Sequence, residues 1–496
     1  MWLNVHAGRG RYMPRATLKY SRQPLKRTVP LILAVALFME NMDSTVIATS
    51  LPAIADDIGT SPVALKLALT AYLVSLAIFI PISGWMADRF GAKRVFSAAI
   101  AVFMLGSIAC AVSGSLGAFV AARALQGLGG AMMTPLARLV LVRATPRSEL
   151  VSAMAWLTIP GLVGPLVGPP VGGFITTFFS WHWIFLINIP IGLAGIVLAG
   201  RYLPDVESSG VPPLDVQGFL LSGIAASGIV FGLSVVSLPA LPPMVGVVVL
   251  AVGLLAAALY LRHARRAPNP LLDLGLFGNR GFRAAVSGGS IFRIGNGAVP
   301  FLLPLMLQLG FGMTPFQSGM LTFASAAGAI GMKFLVTSVL RRGGFRTVLI
   351  STALGSAALI AANGLITAHT PWLAIVAILF TAGFLRSLFF TASNALVFAD
   401  VEDGQASQAT AIAAVTQQIT VALGVAVGGG ILEVQARFGD GLLAPGDFRA
   451  AFYIVAAITV LSILPFLSLP RDAGGAVSGH RPRAATSLPA EEPVST

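Results

Sequence analysis

The residues of this sequence with chemistry to offer are few, and they lie inside apolar runs. The first run carries Glu40-Asn41-Met42-Asp43-Ser44-Thr45. If that run enters a membrane near Thr28, Asp43 sits roughly 22 Å along a helix, well inside an apolar core about 30 Å thick. A carboxylate at that depth costs about 2.5–3.5 kcal/mol even on a lenient insertion scale, so it must face a polar cavity or a partner. Three-residue spacing puts Glu40 and Asp43 on one helix face. Two acids together in a water-poor site tend to hold a proton between them, which makes both candidates for proton coupling. A fixed hydrogen bond from a neighbouring helix would satisfy Asp43 as well.

The fourth run offers a partner. Arg123, Gln126, Gly127 and Gly130 fall on one helical face, and a buried arginine needs an anion or several carbonyls. The carboxylates of the first run are the obvious anions, whether the bridge moves or stays. Further bases, Arg293, Lys333 and Arg386, stand in the ninth, tenth and twelfth runs. Lys333 and Arg386 lie near enough to helix ends to reach the surface, whereas Arg293 is deeper. A base facing a cavity suits an anionic or zwitterionic substrate better than a lipophilic cation. Met39, Met42, Met133, Trp156 and Phe292, with Gln126 and Arg293, are candidates for the lining of a substrate cavity, since methionine and aromatic groups adapt to varied apolar shapes. The same residue types also fill cores and face lipid.

Such residues need helices long enough to hold them at membrane depth. The chain has 496 residues, 56% hydrophobic and only 10% charged, where a soluble protein carries about 25% charged residues. Its apolar runs are each about twenty residues long, so the fold expected is an all-α polytopic membrane protein and not a barrel. The runs begin near Thr28, Val63, Val95, Gly117, Leu150, Ile184, Val216, Leu241, Phe282, Phe316, Thr347, Trp372, Ala406 and Phe448, about fourteen in all. The net charge of +13 does not imply nucleic acid, because the bases gather in alternate loops: Arg89, Lys93 and Arg94; Arg143; Arg201; Arg265 and Arg266; Arg341, Arg342 and Arg346. The intervening loops hold only Lys66, Arg437 and Arg449. This bias predicts both termini in the cytoplasm. One cysteine, Cys110, excludes an intrachain disulfide or a cysteine metal site. The scattered histidines offer no catalytic cluster, and no phosphate-binding Gly-x-x-x-x-Gly-Lys-Ser/Thr loop is present. The expectation is a non-enzyme without cofactor or metal.

Between the second and third runs lies Gly84-Trp-Met-Ala-Asp88-Arg89-Phe-Gly91-Ala-Lys93-Arg94, a tight charged loop. There Asp88 can pair with Arg89, Lys93 or Arg94, or with a helix N-terminus, while Gly84 and Gly91 permit close packing and a sharp turn. The fifth run reads Gly161-Leu-Val-Gly164-Pro165-Leu-Val-Gly168-Pro169-Pro170-Val-Gly172-Gly173. Its four-residue glycine repeat forms a smooth face, and its prolines bend the helix. An internal repeat links the two parts of the chain. Thr60-Ser61-Pro62 recurs as Met313-Thr314-Pro315, and Arg89–Lys93 recurs as Arg342–Arg346, both with an offset of 253 residues (315 − 62 and 344 − 91). Arg341 replaces Asp88 in the second copy, so the halves are not equivalent. The domains expected are a basic cytoplasmic tail (1–27), a six-helix bundle (28–203), two extra helices with a linker (204–280), a second bundle (281–470) and a disordered cytoplasmic tail (471–496).

Gly-x-x-x-Asp-Arg-x-Gly-x-Lys-Arg resembles the signature loop between helices 2 and 3 of the major facilitator superfamily. Met42–Pro52, Arg123–Gly130 and Gly161–Gly173 resemble its helix 1, 4 and 5 motifs. Trp181-His182-Trp183 through Asn188 to Gly192, Asp215–Gly218 and Asn269–Phe277 are similar to its fourteen-helix drug:H+ antiporter family, with His182 where a more basic residue is usual. The resemblance covers about Thr28 to Pro470. It implies two six-helix bundles around a central cavity and alternating access. It also implies export of small amphipathic compounds against proton influx across the bacterial inner membrane. By that resemblance Asp43 and Arg123 couple protons and Gly164–Gly173 form the antiporter seam; Glu40 joins the coupling candidates by its own position, and Gly84, Asp88, Arg89, Gly91, Arg94, Gly164, Pro165, Gly168 and Gly172 are the candidates for gating the conformational change. The partners expected are a small-molecule substrate, protons and lipid and no nucleic acid, with the chain a monomer and an outer-membrane or periplasmic efflux partner left open. The alternative left by Arg293, Lys333 and Arg386 is a transporter of a specific anionic or zwitterionic metabolite on the same fold.

Overall fold

A computed structural model describes residues 28–146, 149–204, 213–238, 241–402, 405–438, 443–470 and 473–478. The tail 1–27, and the tail 471–496 apart from 473–478, lie outside the described residues. Among the described residues thirteen helices are long and apolar enough to cross a membrane: α1 Thr28–Thr49, α2 Lys66–Phe90, α3 Ala92–Ala111, α4 Leu116–Ala144, α5 (bounded below), α6 Trp183–Tyr202, α7 Val216–Val236, α8 Pro243–Ala264, α9 Arg280–Gly310, α11 Val336–Asn363, α12 Trp372–Phe398, α13 Ala406–Arg437 and α14 Pro445–Leu467. Helix α5 runs Leu150–Phe178. The tenth place is taken by α10, Pro315–Lys333, a 19-residue helix outside those thirteen. Fourteen long helices therefore stand where the hydropathy pattern puts them.

Local sequence explains where several begin. The Ser115 side chain accepts from the Ala118 N–H to cap α4, and Asn279 accepts from Phe282 to cap α9. Thr314 and Gln317 form a reciprocal capping box on α10, with Pro315 in the first turn; each such cap satisfies N–H groups that a helix start leaves open. Asp215 does more than cap α7. Its oxygens accept from the Gly218 and Leu271 N–H groups at 2.8 and 3.1 Å and meet His263 Nε2 at 2.8 Å. It thus pins the start of α7 to the end of α8 and the linker beyond. Burial alone would push its carboxyl up, but these bonds outweigh burial and hold it below the usual value.

Packing repeats between the halves. Within the first, α1 lies on α5 and α6, and α4 on α2 and α3; within the second, α9 lies on α13 and α14, and α12 on α10 and α11. Two glycine pairs with positive φ mark the same repeat. Gly59 (φ 68°) matches Gly312 (φ 66°), and Gly91 (φ 89°) matches Gly344 (φ 67°); 312 − 59 and 344 − 91 are both 253. Two seams join the halves, α5 against α10 and α2 against α13, and α7 covers the second seam.

The seams are tightest at the end away from the basic loops. One apolar core there mixes Val46, Leu51 and Phe119 of the first half with Phe301, Leu302, Leu321 and Phe448 of the second. The other two large cores lie almost wholly within one half each. At the mixed end Gln308 Nε2 donates to the Thr49 carbonyl at 3.0 Å, and the Phe316 N–H donates to Thr177 Oγ1 at 3.1 Å. Lys66 and Glu433 form a buried ion pair across the α2/α13 seam, and Lys66 also donates to Ser237 Oγ at 2.9 Å.

Candidate functional site: a buried ion pair in the first half

Asp43 is fully buried, on the face of α1 that meets α4 and α6. Arg123 Nη1 donates to its Oδ2 at 2.7 Å. Its Oδ1 accepts from Gln126 Nε2 at 2.8 Å and from Asn188 Nδ2 at 2.9 Å. Gln126 closes the ring, since its Oε1 accepts from Arg123 Nη1. Below, Ser107 Oγ accepts from Gln126 Nε2 at 2.8 Å and from Asn188 Nδ2 at 3.2 Å. The Arg123 guanidinium lies 4.2 Å from the centre of the Tyr72 ring, a placement that favours a cation. Five helices of one half, α1, α2, α3, α4 and α6, each contribute to this site.

Small residues let the helices come this close. A Cβ on Gly106 of α3 would stand 2.6 Å from Gln126 Cα, and one on Gly127 of α4 would stand 2.6 Å from the Tyr72 carbonyl. Not every buried group here is paired: Arg123 Nε, Tyr72 Oη and Asn188 Oδ1 are without a hydrogen-bond partner among the described residues. Such a network holds a charge pair at membrane depth by matching nearly every lone pair. It can also accept a proton on Asp43, which would leave Arg123 without its counter-charge.

The sequence pattern brings Asp43, Arg123 and Gln126 to this site but not Ser107, Asn188 or Tyr72. Asn188 had a signal, an amide within an apolar run. A single serine or tyrosine in such a run carries little. Glu40 stands apart from the network: its Oε2 accepts from Thr134 Oγ1 of α4 at 2.6 Å, and it is half-buried. Met39 and Met133 are fully buried in the first-half core. Met42 is buried with its backbone against Gly164, and Trp156 is half-buried on α5. Phe292 is fully buried in the second-half core, its ring 3.5 Å from that of Phe389. Arg293 is buried in α9. Of these candidates, Gln126 belongs to the Asp43 network.

The gating residues also differ from expectation in detail. The ion pair of Asp88 is with Arg143 Nη2 at 2.8 Å, at the far end of α4, not with the cations of its own loop. Arg89 and Arg94 are exposed, and Gly84 is exposed with open space around it, not at a close helix contact. Gly91 supplies the turn, with φ 89°. The glycine face of α5 packs on α1 of its own half. A Cβ on Gly164 would lie 2.9 Å from Met42 N, one on Gly168 would collide with Thr45, and one on Gly172 with Val46. Only Gly173, next along, faces the other half, against Pro315 and Phe316.

Two pseudo-equivalent helix bundles joined along paired seams, with a buried charge network in one of them, have the architecture of a membrane transporter. The model of the Major Facilitator Superfamily matches residues 33–261 and 285–492, and the chain belongs to that superfamily. It is 36% identical over 445 residues to "Putative multidrug resistance protein MdtD" of Escherichia coli O157:H7, covering 89% of this chain and 94% of that protein. The same figures hold for the protein of that name from Escherichia coli strain K12 / DH10B. Among solved structures, the fold is shared with a D-xylose-proton symporter (TM-score 0.64, 15% identity, 90% of this chain and 98% of that one). A peptide transporter POT in complex with sulfate is likewise similar (TM-score 0.66, 15% identity, 90% and 95%). At such identities these two speak to the fold alone.

Proposed function

We propose that this chain is a proton-coupled antiporter that exports small amphipathic compounds across the bacterial inner membrane by alternating access. The observation that carries the reading is the buried Asp43–Arg123 pair with its Gln126 and Asn188 donors. The likeness to proteins named for multidrug resistance supports the class of substrate. The division into bundles 28–203 and 281–470, with 204–280 between them, follows the two seams. With the basic loops in the cytoplasm, the mixed apolar core closes the outer end, and this is a state shut to the outside.

In that state Arg123 and Asp43 neutralise one another. A proton reaching Asp43 removes the charge that holds Arg123, and the freed guanidinium repacks against Tyr72 and the α1/α4 contact. The equilibrium between access states shifts by the difference in that interaction between them. Substrate that engages the arginine or displaces the network expels the proton again. Glu40, closer to the basic end, shapes the route between cytoplasm and Asp43. Asp88–Arg143 ties α2 to α4 at the basic end and holds the first half rigid while the seams move.

The test is substrate-induced proton release from purified protein in weakly buffered detergent solution, across a chemically varied panel. Compounds that bind the parent chain release protons, and with Asp43→Asn the same compounds bind without release. Equal release from both proteins contradicts the assignment of Asp43.

A further inference from the structure

Among the described residues three cations are buried almost completely: Lys66 (0% exposed), Arg123 (1%) and Arg293 (6%). Two of them meet a carboxylate, Lys66 with Glu433 and Arg123 with Asp43. Arg293 meets none. It lies 13 residues beyond Arg280, the first residue of α9, which places it roughly 20 Å along the helix and near the middle of an apolar core. A lone charge there is costly and is retained where something pairs with it.

The surroundings of Arg293 are built to hold the guanidinium without neutralising it. Its Nη2 donates to Asn394 Oδ1 of α12 at 2.9 Å. The ring of Phe390, one turn earlier on α12, is 5.3 Å from its Cζ. Its Nη1 lies over Gly289, where a Cβ would come within 2.7 Å of it. A guanidinium has five N–H donors in a fixed fork, and only one hydrogen bond from it is made among the described residues. Two more cations stand near. Arg386 is one turn before Phe390 on α12, so positions 386, 390 and 394 share a helix face. Lys333, at the end of α10, donates to Thr391 Oγ1 at 2.9 Å. Neither has an ion pair among the described residues. The repeat deepens the contrast. Position 293 corresponds to position 40 (293 − 253), so the second half offers a base where the first offers Glu40.

We propose that Arg293 is the anchor of a substrate oxyanion, a carboxylate or phosphate, with Lys333 and Arg386 drawing in further negative charge from the basic end. This rests on the transporter reading above and names its substrate as an amphipathic anion. The planar fork of Arg293 matches a carboxylate or phosphate bidentately, and the Phe390 ring beside it suits an apolar or aromatic remainder.

The test is calorimetric binding to the full chain in detergent at fixed ionic strength. The probes are benzoate, phthalate and trimesate, which add carboxylates to one ring. Phenyl phosphate separates phosphate from carboxylate, and benzamide and tetraphenylphosphonium are the neutral and cationic controls. Affinity should rise along the carboxylate series, and benzamide should not bind. Arg293→Gln should weaken phthalate binding roughly 10–100-fold, as loss of a charged hydrogen-bond pair does, and Arg293→Lys should restore part of it. Asn394→Asp supplies the missing acid in a nearly isosteric form, so it should abolish anion binding in a chain at least as stable as the parent. It decides the matter even if Arg293→Gln does not fold. Anion binding unchanged by Asn394→Asp, or a parent that binds none of the anions, overturns the proposal. The antiport reading fails separately: a chain that binds phthalate but carries nothing on a pH gradient keeps this site and loses proton coupling. One that moves tetraphenylphosphonium on the gradient and binds no anion does the reverse.

Discussion

Asp43 accepts hydrogen bonds from three side chains, and the three are not equivalent. Arg123 brings charge, whereas Gln126 and Asn188 bring only direction. Gln126 also accepts from Arg123 and donates to Ser107, so it bonds to both charges and to the serine beyond them. Replacing it by leucine leaves both charges short of a partner, at about 1–3 kcal/mol for each buried group left unsatisfied. Asn188→Leu removes one donor to Asp43 and also an unpartnered carbonyl oxygen, so its cost should be smaller. Thermal unfolding in detergent should therefore rank parent, Asn188→Leu and Gln126→Leu in falling order. The reverse order would show that Gln126 is not the hub. An acid and an arginine at membrane depth were legible as a pair from cost alone, because each needed an opposite charge. Their uncharged neighbours were not, since a serine or an amide in an apolar run has many ways to be satisfied.

At the scale of the helix, composition placed every span but not its contacts. The glycine stripe of α5 promised close approach without saying to what, and its partner is α1 of the same half. Likewise the loop after α2 offered Asp88 three nearby cations. The partner came from 55 residues away because α4 runs on to Ala144 and carries Arg143 down beside it. Gly91 was read correctly as a turn, and its φ of 89° shows why glycine is needed. No atom would touch a Cβ there, so Gly91→Ala isolates backbone strain, of order 1–3 kcal/mol. Gly168→Val instead drives a side chain into Thr45, an overpacking cost of about 1–3 kcal/mol. Both variants should unfold at lower temperature than the parent. Only Gly168→Val should be relieved by Thr45→Ala, and relief of Gly91→Ala by that change would contradict the distinction.

Across the whole molecule, the 253-residue offset seen in two short motifs extends to backbone geometry and to the order of helix packing. What breaks the symmetry is charge. Lys66 looked like a loop cation on the outer side; it is instead the first residue of α2, buried against Glu433 of α13. Glu433 carried no signal of its own, because an acid near the end of a long run reads as a helix terminus. The pair joins the two halves at the end where they share an apolar core. Breaking one partner of a buried pair costs about 3–5 kcal/mol, while replacing both by apolar groups is often neutral. Lys66→Met or Glu433→Leu alone should lengthen spin-label distances between the α1–α2 and α9–α10 loops, and the double substitution should shorten them again. Distances that ignore all three variants would mean that the pair does not hold that end shut.

On the proton-coupled reading, the proton that drives transport resides on Asp43. The most direct measurement is substrate accumulation in proteoliposomes carrying the parent chain or Asp43→Asn, with and without an imposed pH gradient. Asparagine keeps the size and most hydrogen bonds of the acid but cannot exchange a proton. The parent should concentrate substrate on the gradient, whereas Asp43→Asn should only exchange it down its own concentration difference. An Asp43→Asn chain that still concentrates substrate when the gradient is applied would contradict the account and move the proton elsewhere, with Glu40 the nearest remaining acid on the same helix face.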